Sequence, residues 1–201
     1  MPMHFAVSEL ILTIACLGAM WSLWNRSTRF AAIAMGILGL AAGLGTIRFA
    51  FGLGPEFAVV HRMVSQHGGL IAAGLIALSL VDGVVSPERR LSVLLVTGGT
   101  VAVSTIAGLI NSSLQPLILL AWAMIIMLLS PLQPFQKIGT RILAFTFAAI
   151  LPLNALFVRR SPALGIDLSW HLYHVLLAVW VVALTAILVS TRDGSPTLQS
   201  D

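Results

Sequence analysis

The residues best suited to chemistry lie near the start of the last apolar segment, in the stretch 167–174, DLSWHLYH. In a helix, side chains three and four positions apart share a face, so Asp167, His171 and His174 can turn toward one point. Neutral imidazole is a common zinc ligand, and a catalytic zinc takes three protein groups and a water. His67, at a similar depth in an earlier segment, could complete such a site. The pattern therefore predicts a zinc site formed by His67, His171 and His174.

Three side chains, Asp167, Glu9 and Ser65, are candidates for catalytic roles at such a site. Asp167 could be a ligand, a partner of the ligands or a cap for the free amides of its helix. Glu9 could be an acid, a cation ligand or the ion-pair partner of Arg48, and the ion pair is the interpretation we favour. A nucleophilic role is the weaker reading for Ser65 and Ser169, since neither has the strand-turn-helix setting of a hydrolase elbow. The predicted catalytic residues are Asp167, Ser65 and Glu9.

Apolar segments long enough to cross a bilayer must position these residues. Hydrophobic residues make up 58% of the 201 residues and charged residues 9%, with a mean hydropathy of +1.00. Soluble domains carry about a quarter charged residues, and a bilayer is crossed by about 20 apolar residues. The sequence therefore predicts an all-α integral membrane bundle over 1–192 and a polar cytoplasmic tail over 193–201. Its seven transmembrane helices are predicted at 5–24, 30–53, 58–81, 91–110, 114–131, 139–158 and 167–190.

Basic residues are divided unequally between the two sides of such a bundle. One side would hold seven of them, namely Arg26, Arg29, Arg89, Arg90, Lys137, Arg141 and Arg192, and the other would hold Arg48, Arg62, Arg159 and Arg160. Because the richer side is cytoplasmic, the amino terminus is predicted to lie outside, and we expect a bacterial inner membrane protein. Bases confined to short loops also argue against a nucleic-acid partner.

Three other residues limit the kinds of site and cofactor that the protein can have. Cys16 is the one cysteine in the sequence, which excludes an internal disulfide and a cysteine metal cluster. Lys137 is the one lysine and lies between the fifth and sixth segments, so the seventh cannot hold a retinal Schiff base. His61 lies about 240° around the helix from His67, and we expect it at the membrane interface or beside the ligands.

The stretch 169–176, SWHLYHVL, resembles the last-helix motif of the superfamily that contains alkaline ceramidases, progestin and adipoQ receptors, and hemolysin III proteins. Those are seven-helix membrane proteins, most of which hold zinc with three histidines. The spacing here is HxxH where the family has HxxxH, and 46–50, TIRFA, and 65–69, SQHGG, replace its other motif residues. The resemblance implies hydrolysis of a membrane-lipid amide or ester by a zinc-bound water.

Two other functions are compatible with the same residues. A b-type haem electron carrier would take one imidazole from each of two facing helices, His67 with His171 or His174. The three-residue spacing in the seventh segment fits one small ion better than haem. A non-catalytic receptor, scaffold or transporter would use the histidines as pH-sensitive or structural groups.

Overall fold

The protein is described by a computed structural model over residues 3–26, 28–135, 137–159 and 161–193, with side chains as far as Ser190. Within these ranges the chain is all-helical, with seven helices long and apolar enough to cross a membrane. The prediction of an all-α bundle of seven membrane-spanning helices is confirmed to that extent. Apart from Asp193, which is helical, the predicted polar tail lies outside the described residues, as does Arg160.

The helix boundaries follow the sequence signals closely. Helix α1 covers Phe5–Trp24, α2 Arg29–Ala50, α3 Pro55–Val84, α4 Pro87–Ile110, α5 Gln115–Leu129, α6 Ile138–Leu153 and α7 Gly165–Asp193. Helix α3 begins three residues earlier than predicted, because Pro55 suits a first helical position and Glu56 favours the positive helix end. Pro152 removes a hydrogen bond inside α6, and a π-helical turn, Asn154–Val158, follows it directly.

The helices pack mainly against their neighbours in the chain. Helix α1 lies along α2 and α7, α2 packs on α3, and α6 lies between α5 and α7. Helix α4 contacts mainly α3, and only 6% of its span is buried inside the bundle. The buried core is contributed largely by α1, α2, α3 and α7, and its largest fully buried side chain is Trp180. The parallel helices α1 and α7 therefore pack between α2 on one side and α6 on the other. These two helices carry most of the polar residues described below.

Candidate functional site

Polar side chains gather where α1, α3 and α7 begin and α2 ends. Eight residues joined by hydrogen bonds, ion pairs or electrostatic interactions form what we call the polar cluster: His4, Ser8, Glu9, Arg48, His61, Asp167, His171 and His174. Because α1 and α7 run in the same direction, the first turns of both helices reach this end of the bundle. The cluster lies at the end where the sequence predicts the chemistry.

A hydrogen-bonded chain runs between α1 and α7. His171 Nδ1 lies 3.0 Å from Ser8 Oγ, and His171 Nε2 lies 2.8 Å from His4 Nδ1. His4 Nε2 lies 4.0 Å from Asp167 Oδ2. A neutral imidazole has one donor and one acceptor, so the chain is satisfied when Ser8 donates to His171 and His171 donates to His4. In the reverse direction the Ser8 hydroxyl donates to the Phe5 carbonyl at 3.2 Å, and His4 must then be protonated to present an N–H to Asp167 as well.

Matched spacing on two parallel helices produces this chain. His4 and Ser8 are four residues apart at the start of α1, and Asp167 and His171 are four apart at the start of α7. Residues at this spacing share a helix face, so the two pairs form a ladder between the helices. The side chains of His4 and Asp167 are 47% and 66% exposed, whereas Ser8 is 2% exposed. The chain thus connects the surface with a buried hydroxyl.

A second pair lies next to this chain on the same helices. His174 Nε2 lies 3.3 Å from Glu9 Oε1, and His174 Nδ1 lies 2.8 Å from the Trp170 carbonyl oxygen. A carbonyl can only accept, so Nδ1 carries a hydrogen. Nε2 therefore either accepts from a protonated Glu9 carboxyl or donates to its carboxylate. Both side chains are buried, and one shared proton lies between them in either state.

Arg48 and His61 extend the cluster to α2 and α3. Arg48 Nη1 lies 3.5 Å from His61 Nδ1, which must accept because a guanidinium has only donors. The Phe49 ring packs edge-on against both His61 and Trp170 and carries the Arg48 guanidinium 5.0 Å from its centroid. Arg48 also acts electrostatically on the Glu9 carboxyl. Among the residues that the structure describes, His174 lies within ion-pair distance of that carboxyl.

Four of the six predicted site residues lie in the cluster, namely Glu9, Asp167, His171 and His174. The other two, Ser65 and His67, are half-buried on α3, and neither makes a hydrogen bond, ion pair or ring contact with another described residue. His61, which was expected at the interface or beside the ligands, is buried and joins the cluster. Sequence reasoning missed His4 and Ser8 entirely. Their four-residue spacing, equal to that of Asp167 and His171, was the available signal.

The donor set does not fit a zinc ion with three protein ligands. In the part of the chain that the structure describes, no three His, Cys, Asp or Glu side chains come together as a metal-holding group. Both ring nitrogens of His171 face protein groups, and His174 offers only Nε2. The fixed positive charge of Arg48 would also oppose a second cation nearby. Zinc and haem stay predictions from the sequence.

Two buried polar atoms near the cluster have no hydrogen-bond partner among the described residues: Trp170 Nε1 and Asn154 Oδ1. Asn154 begins the π-helical turn, and its Nδ2 donates to the Tyr173 carbonyl at 2.8 Å. Buried polar groups are nearly always satisfied, and π-helical turns are frequent at functional sites. These two atoms are therefore positions at which a polar group of a ligand could bind.

An apolar groove of about 710 Å³ runs along α1, α6 and α7. It begins at Ile11, three residues after Ser8, and at Val175, four residues after His171. Residues at these spacings lie on the same helix faces, so the groove starts one turn below the hydrogen-bonded chain. Its lining is apolar except for Thr140 and Ser190. The groove has the volume of an ordinary small-molecule site, about 300–1,000 Å³.

Over the described residues, the fold and site together define an all-helical bundle, with seven helices long and apolar enough to cross a membrane, a polar cluster at one end and an apolar groove that begins about one turn from it. No family model, curated protein or solved structure matches the chain.

Proposed function

We propose that the protein is an integral membrane hydrolase that cleaves an amide or ester bond of a membrane lipid. The observation that carries this proposal is the chain from Ser8 through His171 and His4 toward Asp167. A hydroxyl within hydrogen-bond reach of an imidazole, which is itself held by a third group, is the signature of an activated nucleophile. Ser8 and His171 are the proposed catalytic residues, and His4 and Asp167 are positioning residues.

The proposed reaction uses Ser8 as nucleophile and His171 as base and acid. Ser8 Oγ attacks the carbonyl carbon while its proton passes to His171 Nδ1, and His4 and Asp167 stabilise the imidazolium. The tetrahedral intermediate then expels the amine or alcohol, which takes the proton from Nδ1 and leaves an acyl group on Ser8. A water then gives a proton to His171 Nδ1 and attacks the acyl carbon. The new tetrahedral intermediate expels Ser8 Oγ, which takes that proton back from His171 as the carboxylic acid leaves.

Depth and access favour a lipid as the substrate. Helix α7 has 29 residues, or about 43 Å, so it would extend about 7 Å beyond each face of a hydrocarbon core about 30 Å thick. His171 lies six residues after Gly165, about 9 Å along the helix, and so near the boundary where lipid linkages lie. Ser8 is buried between α1 and α7, and the apolar groove begins about one turn away from it on the same two helices.

The Glu9–His174 pair has a positioning role in this proposal. Ser8 and Glu9 are consecutive on α1, and their partners His171 and His174 are three residues apart on α7. The buried pair fixes the rotation of α1 against α7. That rotation keeps the Ser8 hydroxyl within reach of the imidazole.

Hydrolysis and covalent labelling of the purified protein test the proposal. We expect the wild type in detergent to release fatty acid from an N-acyl sphingoid amide or a phospholipid ester, and to be labelled by a fluorophosphonate, which reacts with activated serines. Ser8→Ala should remove the labelling and lower the hydrolysis rate at least about 100-fold, because nucleophile and base are uncoupled. His67→Ala, a histidine outside the cluster, is the matched control and should keep both.

Metal analysis and an absorption spectrum of the same preparation separate the alternatives. Loss of hydrolysis in His67→Ala, together with about one zinc per chain, would contradict the serine mechanism and support the site of His67, His171 and His174. A Soret band would support a haem protein. A folded wild type with neither hydrolysis nor labelling would remove the hydrolase proposal.

We also propose that the amino terminus lies outside the cytoplasm, in a bacterial inner membrane, which places the polar cluster at the outer face. The support is the positive-inside rule applied to the basic residues of the loops. A carboxyl-terminal fluorescent reporter that folds only in the cytoplasm should be active, and a carboxyl-terminal alkaline phosphatase should be inactive. The reverse pattern would place the cluster at the cytoplasmic face.

A further inference from the structure

A second cavity lies at the opposite end of the bundle, between the start of α2, the end of α3 and the start of α4. It has a volume of about 340 Å³ and is independent of the proposed hydrolase site. Its polar lining residues are Thr28, Arg29, Ser79, Asp82 and Arg90, and its apolar ones are Phe30, Ile33 and Leu94. The charged residues Arg29, Asp82 and Arg90 lie toward the helix ends, whereas Ile33 and Leu94 lie about one turn deeper in α2 and α4. The lining thus changes from charged to uncharged along the direction in which a lipid changes from headgroup to chain.

The charge of this cavity is positive on balance. Arg90 donates from Nε and Nη2 to the two Asp82 oxygens, at 2.6 and 2.9 Å, and so neutralises that carboxylate. A guanidinium has five N–H groups, so three remain on Arg90 for another acceptor. Arg29 adds an exposed positive charge at the first position of α2, where helix amides also favour an anion.

A buried hydroxyl points to a ligand in the same cavity. Ser79 is 2% exposed and lines the cavity, yet it makes no hydrogen bond with any other residue that the structure describes. Thr28, equally buried, already donates to the Leu23 carbonyl at 2.8 Å. Ser79 is therefore the hydroxyl available to a ligand.

We propose that this cavity binds the phosphate of an anionic phospholipid from the adjacent leaflet. Arg29 and the free N–H groups of Arg90 would donate to the phosphate oxygens, and Ser79 would donate to the phosphate or the glycerol ester. The acyl chains would lie along Phe30, Ile33 and Leu94, of which Phe30 and Ile33 are 40% and 44% exposed. Basic pockets between membrane helices bind lipid headgroups by this combination of charge and apolar contact.

Lipid-dependent stability of the purified full chain in detergent tests the proposal. Dioleoyl phosphatidylglycerol should raise the thermal midpoint in a saturable way and remain bound in native mass spectra. Dioleoylglycerol, which lacks the phosphate, and inorganic phosphate alone should each raise the midpoint much less. Arg29→Gln should weaken the apparent affinity for phosphatidylglycerol at least about tenfold, because it removes a charged hydrogen bond. Ser79→Ala should weaken it by a smaller factor.

Arg89→Gln is the matched control, since Arg89 is exposed beside Arg90 but does not line the cavity. This variant also removes one positive charge from the same end of the bundle, and it should leave the affinity for phosphatidylglycerol within about twofold of the wild-type value. Equal losses of affinity in Arg29→Gln and Arg89→Gln would overturn the proposed site, because the lipid would then be held by general charge attraction and not by this cavity. Stabilisation by inorganic phosphate equal to that by the lipid would overturn the lipid assignment. So would equal stabilisation by dioleoylglycerol.

Discussion

Replacing Glu9 with leucine should lower the free energy of unfolding by about 3 kcal/mol or more, because it leaves a buried imidazole without its partner. His174 is 8% exposed, and its Nδ1 is already used by the Trp170 carbonyl. Nε2 would then face an apolar side chain with no water to replace the carboxyl. The loss should be visible in reversible unfolding by a denaturing detergent or in the thermal midpoint.

Glu9→Gln separates the hydrogen bond from the carboxyl charge. A glutamine amide can donate to His174 Nε2 and has nearly the same shape, so we expect a loss within about 1 kcal/mol. Glu56→Leu, which changes an exposed glutamate at the start of α3, controls for the substitution itself and should cost less than about 1 kcal/mol, the usual contribution of an exposed charge at a helix end. If Glu9→Gln costs as much as Glu9→Leu, the pair is held as an ion pair rather than by a neutral hydrogen bond. A Glu9→Leu variant as stable as the wild type would contradict the stabilising role of the Glu9–His174 pair.

The number of spans could be predicted because the bilayer imposes it. Each crossing needs about 20 apolar residues, and each break needs charge, proline or glycine. Boundaries were harder, since a helix can continue beyond the apolar run when its first turn is well formed. Helix α3 does so, beginning at Pro55 and extending over 30 residues to Val84. This extension places His61 almost two turns from the helix start, where the predicted boundary would have put it in the first turn.

The partners within the cluster could not be predicted, because they depend on the rotation of each helix about its axis. Helix α1 is apolar on every side: Ile14 and Leu17 are exposed, whereas Leu12 and Cys16 are buried. Its hydrophobic pattern therefore does not say which face turns inward. The same holds for α3, where rotation brings His61 rather than His67 against the end of α2. Spacing within α7 was informative because it does not depend on any other helix.

His4 was missed for a different reason. It precedes the first apolar segment, so a search for ionisable residues inside the spans passes over it. In the structure it lies 2.8 Å from His171, because α1 and α7 start at the same end and pack side by side. Parallel helices bring residues together that are 167 positions apart in the sequence. Contacts of this kind follow from topology, which the apolar pattern leaves open.

Replacing Gly45 with alanine should destabilise the protein by about 1–3 kcal/mol through overpacking. A Cβ at this position would lie 2.6 Å from Glu9 Cδ and 2.7 Å from its Oε1, distances that force one of the groups to move. The Glu9 carboxyl cannot move freely, because it is buried and paired with His174. Displacing it would also turn Ser8 away from His171, so we expect fluorophosphonate labelling of Ser8 to fall with the stability.

Gly43→Ala provides a matched control on the same helix. Its Cβ would meet only Thr13 Cγ2, at 3.8 Å, which is ordinary van der Waals contact. Alanine is favoured over glycine inside a helix by roughly 0.5–1 kcal/mol, so this variant should be as stable as the wild type or slightly more stable. Thermal unfolding of the two variants in the same detergent gives the comparison. Equal stability of Gly45→Ala and Gly43→Ala would contradict the expected overpacking. It would mean that the Glu9 carboxyl can shift away from the new methyl group without a measurable cost.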